Sequence, residues 1–284
     1  MTYLIALLSS GLWGTADFIG GRLSRDLPAL WVVAASQACS LALLAVGSVA
    51  AVALGVRAQG TGWLGWGVGG GVALTVGLAS FYRGLAIGRM GVVAPIASTG
   101  VAVPVAVGFL QGDRPVATQA VGIAVAVVGV LLAGLSSSGD GAGADQRRGG
   151  SRPIVLALVA GVGFGAALVC LQQSATSSSL YALTVMRAVI LALLVVPAWR
   201  SRPTSAVGRG TVTSLVALGV CDVGANAMFS VASLGGSLAL VGVLSSLYPV
   251  VTTLLARQLL HERLSRWQLA GVVATLGGTV LIVL

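Results

Sequence analysis

Ten apolar runs of about 20 residues each, separated by short polar breaks, fill almost the whole 284-residue chain. That is the length at which a helix crosses the hydrocarbon core of a bilayer. The runs lie at about 3–21, 29–50, 63–83, 91–110, 117–135, 153–172, 180–199, 212–232, 237–256 and 267–284. Ten such helices use about 200 positions and leave about 84 for connections, so no soluble domain fits. The breaks carry the charges and turn formers, as at Arg22 to Pro28, Gly112 to Pro115 and Arg200 to Gly210. The first run follows Met1-Thr2-Tyr3 with no charged leader region, so it reads as a membrane helix and not as a removed signal.

Composition excludes the soluble classes. Only 8% of the residues are charged, against roughly 25% in an ordinary soluble domain. Mean hydropathy is +1.01. Too few polar side chains remain to cover a soluble globule, which excludes a cytosolic enzyme. All 16 basic residues are Arg, and the net charge is +9. They are scattered over the breaks and form no phosphate-binding stripe, so nucleic acid is not an expected partner. Arg without Lys, together with much Ala, Val and Gly, points to a GC-rich bacterial genome, hence to a bacterial inner membrane.

Catalytic and metal chemistry find no footing. Cys39, Cys170 and Cys221 stand alone in apolar runs and read as small packing residues. The single His261 has no cluster of ligands around it, so no metal is expected. No Ser/His/Asp set, phosphate loop or catalytic carboxylate pair shares a face, and no cofactor is implied. Gly67 to Gly71 lie inside a run, where close helix packing is their natural use.

The two halves of the chain repeat each other. Asp113-Arg114, Gln119, Gly122 and Gly129 reappear 149 positions later as Glu262-Arg263, Gln268, Gly271 and Gly278. Gly11-Leu12-Trp13-Gly14 similarly resembles Gly163-Phe164-Gly165. The acids at these turns suit helix N-termini and read as structural. Residues 1–135 then form one unit of five helices and 153–284 a second, joined by a Ser/Gly-rich linker over 136–152. An odd number of helices makes the second unit enter from the opposite side. The expected fold is therefore an all-α membrane protein of ten transmembrane helices in two inverted repeats, an architecture of secondary transporters. Strict alternation gathers most Arg residues at the end opposite the N-terminus, which the positive-inside rule makes cytoplasmic.

The chain resembles the EamA-type ten-helix proteins of the drug/metabolite transporter superfamily. Leu12-Trp13-Gly14, Asp17-Phe18, Val93-Ala94-Pro95-Ile96, Leu247-Tyr248-Pro249-Val250, His261-Glu262-Arg263-Leu264, Gly271 and Gly277-Gly278 carry the likeness. The resemblance implies a central cavity lined by helices 1, 3, 4, 6, 8 and 9. It implies movement of amino acids, other small metabolites or drugs, often outward. It also implies cytoplasmic termini, against the Arg distribution.

Ionisable residues inside the spans normally face protein or water and find partners. Arg187 and Asp222 lie about 18 and 17 Å from the same surface at ~1.5 Å per residue, on consecutive helices. They are expected to pair, either as a structural brace or as a proton or substrate site. Asn226 sits one turn from Asp222 on the same face. Asp17 and Arg83 also share a depth and are expected to pair across helices 1 and 3, as brace or as gate. Trp13, one turn from Asp17, can stack on a cationic or aromatic solute or simply pack. Prolines 95 and 104 in the fourth span and Pro249 in the ninth are expected to bend their helices beside the pathway. The candidate pathway is thus Trp13, Asp17, Tyr82, Arg83, Thr99, Gln172, Asp222, Asn226, Ser246 and Tyr248. The expected activity is alternating-access transport of a small-molecule solute, with protons as the candidate coupling ion. Monomer and homodimer both remain open. The competing class is a membrane accessory protein, or an enzyme or translocase for a lipid-linked substrate. Such a protein calls for acidic loops near the headgroups, and these loops have almost none.

Overall fold

The computed structural model describes residues 1–55, 58, 60–87, 93, 96–97, 99–112, 114, 116–134, 152–175, 177–204, 207–245, 247–260 and 266–283. The described residues are helical almost throughout. Three long helices open the chain: α1 (Thr2–Asp26), α2 (Ala29–Ala53) and α3 (Gly62–Ile87). A 3-10 turn at Thr99–Val101 leads into the short α4 (Ala102–Leu110), and α5 (Ala117–Gly134) follows. The second half has α6 (Arg152–Ser174), α7 (Ser179–Arg200) and α8 (Arg209–Gly235), then α9 (Leu238–Ser245), α10 (Tyr248–Leu260) and α11 (Arg266–Val283). Six of these, α1–α3 and α6–α8, are long and apolar enough to cross a membrane. The linker at 136–151, Pro95, His261 and the Glu262-Arg263 pair lie outside the described residues.

Two sequence expectations change. The first helix runs on through Arg22 and Arg25 to Asp26, because nothing before Pro28 stops it. The described prolines of the fourth and ninth spans do stand at interruptions, but each sits just inside a new helix and does not bend a continuous one. Pro104 is the third residue of α4, and Pro249 the second of α10. In a first turn the missing N–H has no helical acceptor to lose, so proline is tolerated there. The ninth span is two helices, α9 and α10, joined through Leu247, whose N–H reaches back to Leu244 at 3.4 Å.

The helices alternate in direction. Thr2 at the start of α1 meets Gly235 and Gly236 at the end of α8. Ser48 near the end of α2 bonds Thr184 near the start of α7, at 3.0 Å. Gly84 late in α3 faces Pro153 early in α6. Arg22, Arg83, Arg152, Arg200, Arg202, Arg209 and Arg266 are therefore exposed at one end of the bundle, while the opposite end presents Arg114.

The packing departs from the soluble pattern: large aliphatics such as Leu171, Ile190 and Leu244 fill the interior, yet many others cover the outside. Val46, Val49, Val155, Val162, Leu193 and Val196 are exposed. Glycines and serines sit between the helices. Lipid is as apolar as leucine, so helices associate through close backbone approach and polar contacts. Ser9 Oγ donates to the Ala225 carbonyl at 2.9 Å, and Thr252 Oγ1 to the Gly14 carbonyl at 3.0 Å. Gly67, Gly70 and Gly71 on α3 press against α7, as their clustering foretold.

Contacts of one half recur in the other. Gly14 lies against the Tyr248 carbonyl and Val251, and Gly165 against the Gly100 carbonyl and Val103. Gly71 lies against the Met186 carbonyl and Val189, and Gly219 against the Ser36 carbonyl and Cys39. Trp13 meets Phe229 at 5.9 Å between ring centroids, and Phe164 meets Phe81 at 5.4 Å.

A matched pair on α1 tests the close approach. A Cβ on Gly14 lands 2.5 Å from Val251 Cβ and 2.6 Å from the Tyr248 carbonyl, whereas one on Gly11 meets nothing within 4 Å. Overpacking costs about 1–3 kcal/mol, while alanine gains roughly 1 kcal/mol of helix propensity over glycine. Gly14→Ala is expected to lower the thermal unfolding midpoint in detergent, and Gly11→Ala to hold or raise it.

Candidate substrate cavity

A cavity of about 90 Å³ lies among α1, α2, α3, α6, α7, α8 and the start of α10. One water needs about 10–15 Å³ by such a measure, so the space suits a small solute. Its lining is mixed in character. Asp17, Gln37, Tyr82, Asp222, Asn226 and Tyr248 supply polar groups. Leu74, Leu78, Phe164, Leu168 and Met186 are apolar, and Trp13 borders the space as well.

Each polar group arrives by a helical register. Trp13 and Asp17 are one turn apart on α1, as are Asp222 and Asn226 on α8. Tyr82 lies over Gly20, and any larger side chain there would have to displace its ring. Tyr248 opens α10, just past the break that separates it from α9.

Asp222 is the hub of a buried network. Arg187 Nη2 lies 2.9 Å from Asp222 Oδ2, and the Arg187 side chain is fully buried. Gln37 Nε2 and Ser40 Oγ approach the same oxygen at 3.5 Å each. Asn226 Nδ2 donates to Oδ1 at 3.0 Å and to the Asp222 backbone carbonyl at 2.7 Å. The ion pair is close, but its N–H groups are not aligned on the carboxylate: Nε, Nη1 and Nη2 of Arg187 have no hydrogen-bond partner among the described residues. Its hold on Asp222 is thus electrostatic more than directional. The network ties α2, α7 and α8 together.

Asp17 stands apart. Among the described residues no side chain donates a hydrogen bond to its carboxylate and no cation pairs with it. The expected Asp17–Arg83 pair does not form. Arg83 is exposed, while its neighbour Tyr82 turns inward at 3% exposure and takes the place beside the cavity. The two residues share a depth but not a face. Helical phase, which depth alone ignores, decides the contact.

Of the candidate pathway, Trp13, Asp17, Tyr82, Asp222, Asn226 and Tyr248 border the cavity. Arg83, Thr99 and Gln172 do not. Thr99 Oγ1 bonds the Ile96 carbonyl at 2.7 Å within its own turn. Gln172 is near the end of α6, and its Oε1 is buried with no partner among the described residues. Ser246 lies outside the described residues. Sequence reasoning passed over Gln37, although it stands 150 positions before Arg187 and is polar in mid-span. It noted Phe164 only as a counterpart of Trp13. Both signals were present in the repeat. Among the described residues no group of His, Cys, Asp or Glu could hold a metal ion.

Breaking a buried ion pair from one side costs about 3–5 kcal/mol, because the remaining charge is stranded. Arg187→Met and Asp222→Leu are each expected to lower the thermal midpoint clearly. Arg187→Met combined with Asp222→Leu is expected to cost less than the two single changes added. A double-mutant cycle of unfolding midpoints in detergent checks this, and simple additivity argues against the pair.

Comparison with known proteins fits this architecture. No curated protein sequence matches the chain. A solved structure described only as a protein superposes with a TM-score of 0.79 at 20% identity, covering 100% of this chain and 98% of its own. That likeness speaks for the fold. Residues 151–284 match the EamA-like transporter family. The likeness thus spans the C-terminal half of this multi-pass membrane protein, which is similar to the EamA-like transporter family.

Proposed function

We propose that the chain is a secondary carrier of the bacterial inner membrane that moves a small organic solute outward by alternating access. The single observation that carries this reading is the cavity itself. It lies among long apolar helices, is lined by both polar and apolar side chains, and is drawn from both halves of the chain.

The reading takes residues 1–135 and 153–284 as two inverted five-helix units around 136–152, with ten membrane crossings. The recurring contacts support it. Phe81 to Phe229, Gly71 to Gly219 and Val103 to Val251 are each 148 positions apart, close to the 149 of the late sequence motif. The irregular backbone falls at matching places, a 3-10 turn at Thr99–Val101 and a break just before Tyr248. Non-helical backbone at membrane depth is tolerated where it is buried in protein or borders a water-filled space. The end rich in exposed Arg faces the cytoplasm on the positive-inside rule, which leaves both termini outside.

Substrate pathway roles go to Trp13, Asp17, Tyr82, Asp222, Asn226 and Tyr248. Protons are the candidate coupling ion, taken up where a carboxylate borders the cavity. Because Asp222 is tied to Arg187, Gln37, Ser40 and Asn226, its removal disturbs folding as well as transport. A cleaner test uses an apolar lining residue. Leu168→Trp pushes an indole into the cavity and leaves every polar group in place. In proteoliposomes, a mixed pool of amino acids, organic cations and common metabolites is screened with and without a pH gradient. Saturable flux of at least one compound is expected, with a loss of tenfold or more in Leu168→Trp. No flux of any compound from folded protein sinks the carrier reading.

A further inference from the structure

We propose that the cavity is built for a small organic monocation, such as an aromatic or aliphatic amine, held by the Asp17 carboxylate against Trp13, Tyr82 and Tyr248. This rests on the carrier reading and names its substrate class.

The argument begins with charge. Asp17 and Asp222 are the charged residues that border the cavity. Asp222 is already served. Arg187 lies 2.9 Å away, and Gln37, Ser40 and Asn226 occupy its oxygens. Arg187 is fully buried and does not itself border the cavity, so its charge is spent on Asp222. Asp17 has no such service among the described residues. One guanidinium serves Asp222 alone, so Asp17 must hold either a proton or a cation drawn from the cavity. A carboxylate with no partner is costly in an apolar bundle, and a cationic ligand removes that cost.

The surroundings fit the same ligand. Trp13, Tyr82 and Tyr248 border the space with Asp17, and aromatic faces attract cations. Tyr248 Oη is buried with no partner among the described residues, and can accept an N–H from a protonated amine. Leu74, Leu78 and Phe164 also border the space and receive an apolar body. An anion brings a further negative charge and finds no cation at the surface. A zwitterion satisfies Asp17 but strands its own carboxylate.

Calorimetric titration of the purified full chain in detergent tests this with four ligands of similar body. Phenyltrimethylammonium and phenethylamine are cations, phenylalanine is a zwitterion and phenylacetate an anion. The two cations are expected to bind saturably, at least tenfold tighter than the other two. Asp17→Asn should weaken cation binding tenfold or more with the thermal midpoint kept. Asp17→Glu, which restores the charge, covers the case in which Asp17→Asn fails to fold. Arg83→Gln, on the exposed face, should change nothing. Tighter binding of phenylalanine or phenylacetate overturns the proposal, as does cation binding indifferent to Asp17. Flux of phenyltrimethylammonium in proteoliposomes separates the two layers. Cation binding without any flux sinks the carrier reading and leaves the site. Flux of another solute class with no cation binding sinks the site and leaves the carrier.

Discussion

Lipid offers helices no hydrophobic reward for touching one another, and the architecture follows from that constraint. Association must come from backbones brought close, so the contacts fall on glycine. The α3 helix shows how this also makes the cavity. Gly67, Gly70 and Gly71 press into α7 along one face. One and two turns further along that face stand Leu74 and Leu78, which border the cavity. The helices are clamped where the side chains vanish. They stand apart where side chains return. Polar cross-links at carbonyls, such as Ser9 to Ala225 and Thr252 to Gly14, then hold α1 against α8 and α10.

If the halves are repeats, the scaffold is symmetric but the chemistry is not. Trp13 and Phe164 keep an aromatic at both equivalent places. The polar groups break the pattern. Gln37 stands where the other half has Arg187, and Asp222 where it has Leu74. Asn226 stands against Leu78, and Asp17 against Leu168. A symmetric frame gives two related ways to pack, as an alternating-access device requires. Asymmetric side chains then bring both polar and apolar groups to the one cavity.

How much of this was legible in the sequence depends on the kind of information. The all-helical, membrane-crossing character followed from run length alone. The Arg187–Asp222 pair followed from depth, because consecutive antiparallel helices put equal depths side by side. The same depth argument failed for Asp17 and Arg83. These helices are not consecutive, and the 100° turn per residue put Tyr82 inward and Arg83 outward. Thr99 shows a different limit: a hydroxyl in a helix has a carbonyl of its own within reach, and sequence cannot tell that use from a ligand contact. The apolar lining was invisible, since a cavity-facing leucine reads like a packed or a lipid-facing one.

Two carboxylates border one small space, and their environments assign them different work. Asp222 is fixed by four neighbours on three helices, so releasing it means dismantling contacts that hold α2, α7 and α8 together. A group so engaged is suited to keeping the scaffold's charge balanced in every state. It is poorly suited to exchanging partners at each cycle, because a buried ion loses several kcal/mol whenever its partner leaves. Asp17 has the opposite circumstances. Its partner must come from the cavity, and whatever enters changes the energy of the site most strongly there. A carrier needs one charge that stays and one that trades. On the proposed reading, the burial of Arg187 behind Asp222, with no cation beside Asp17 among the described residues, divides the two tasks between α8 and α1.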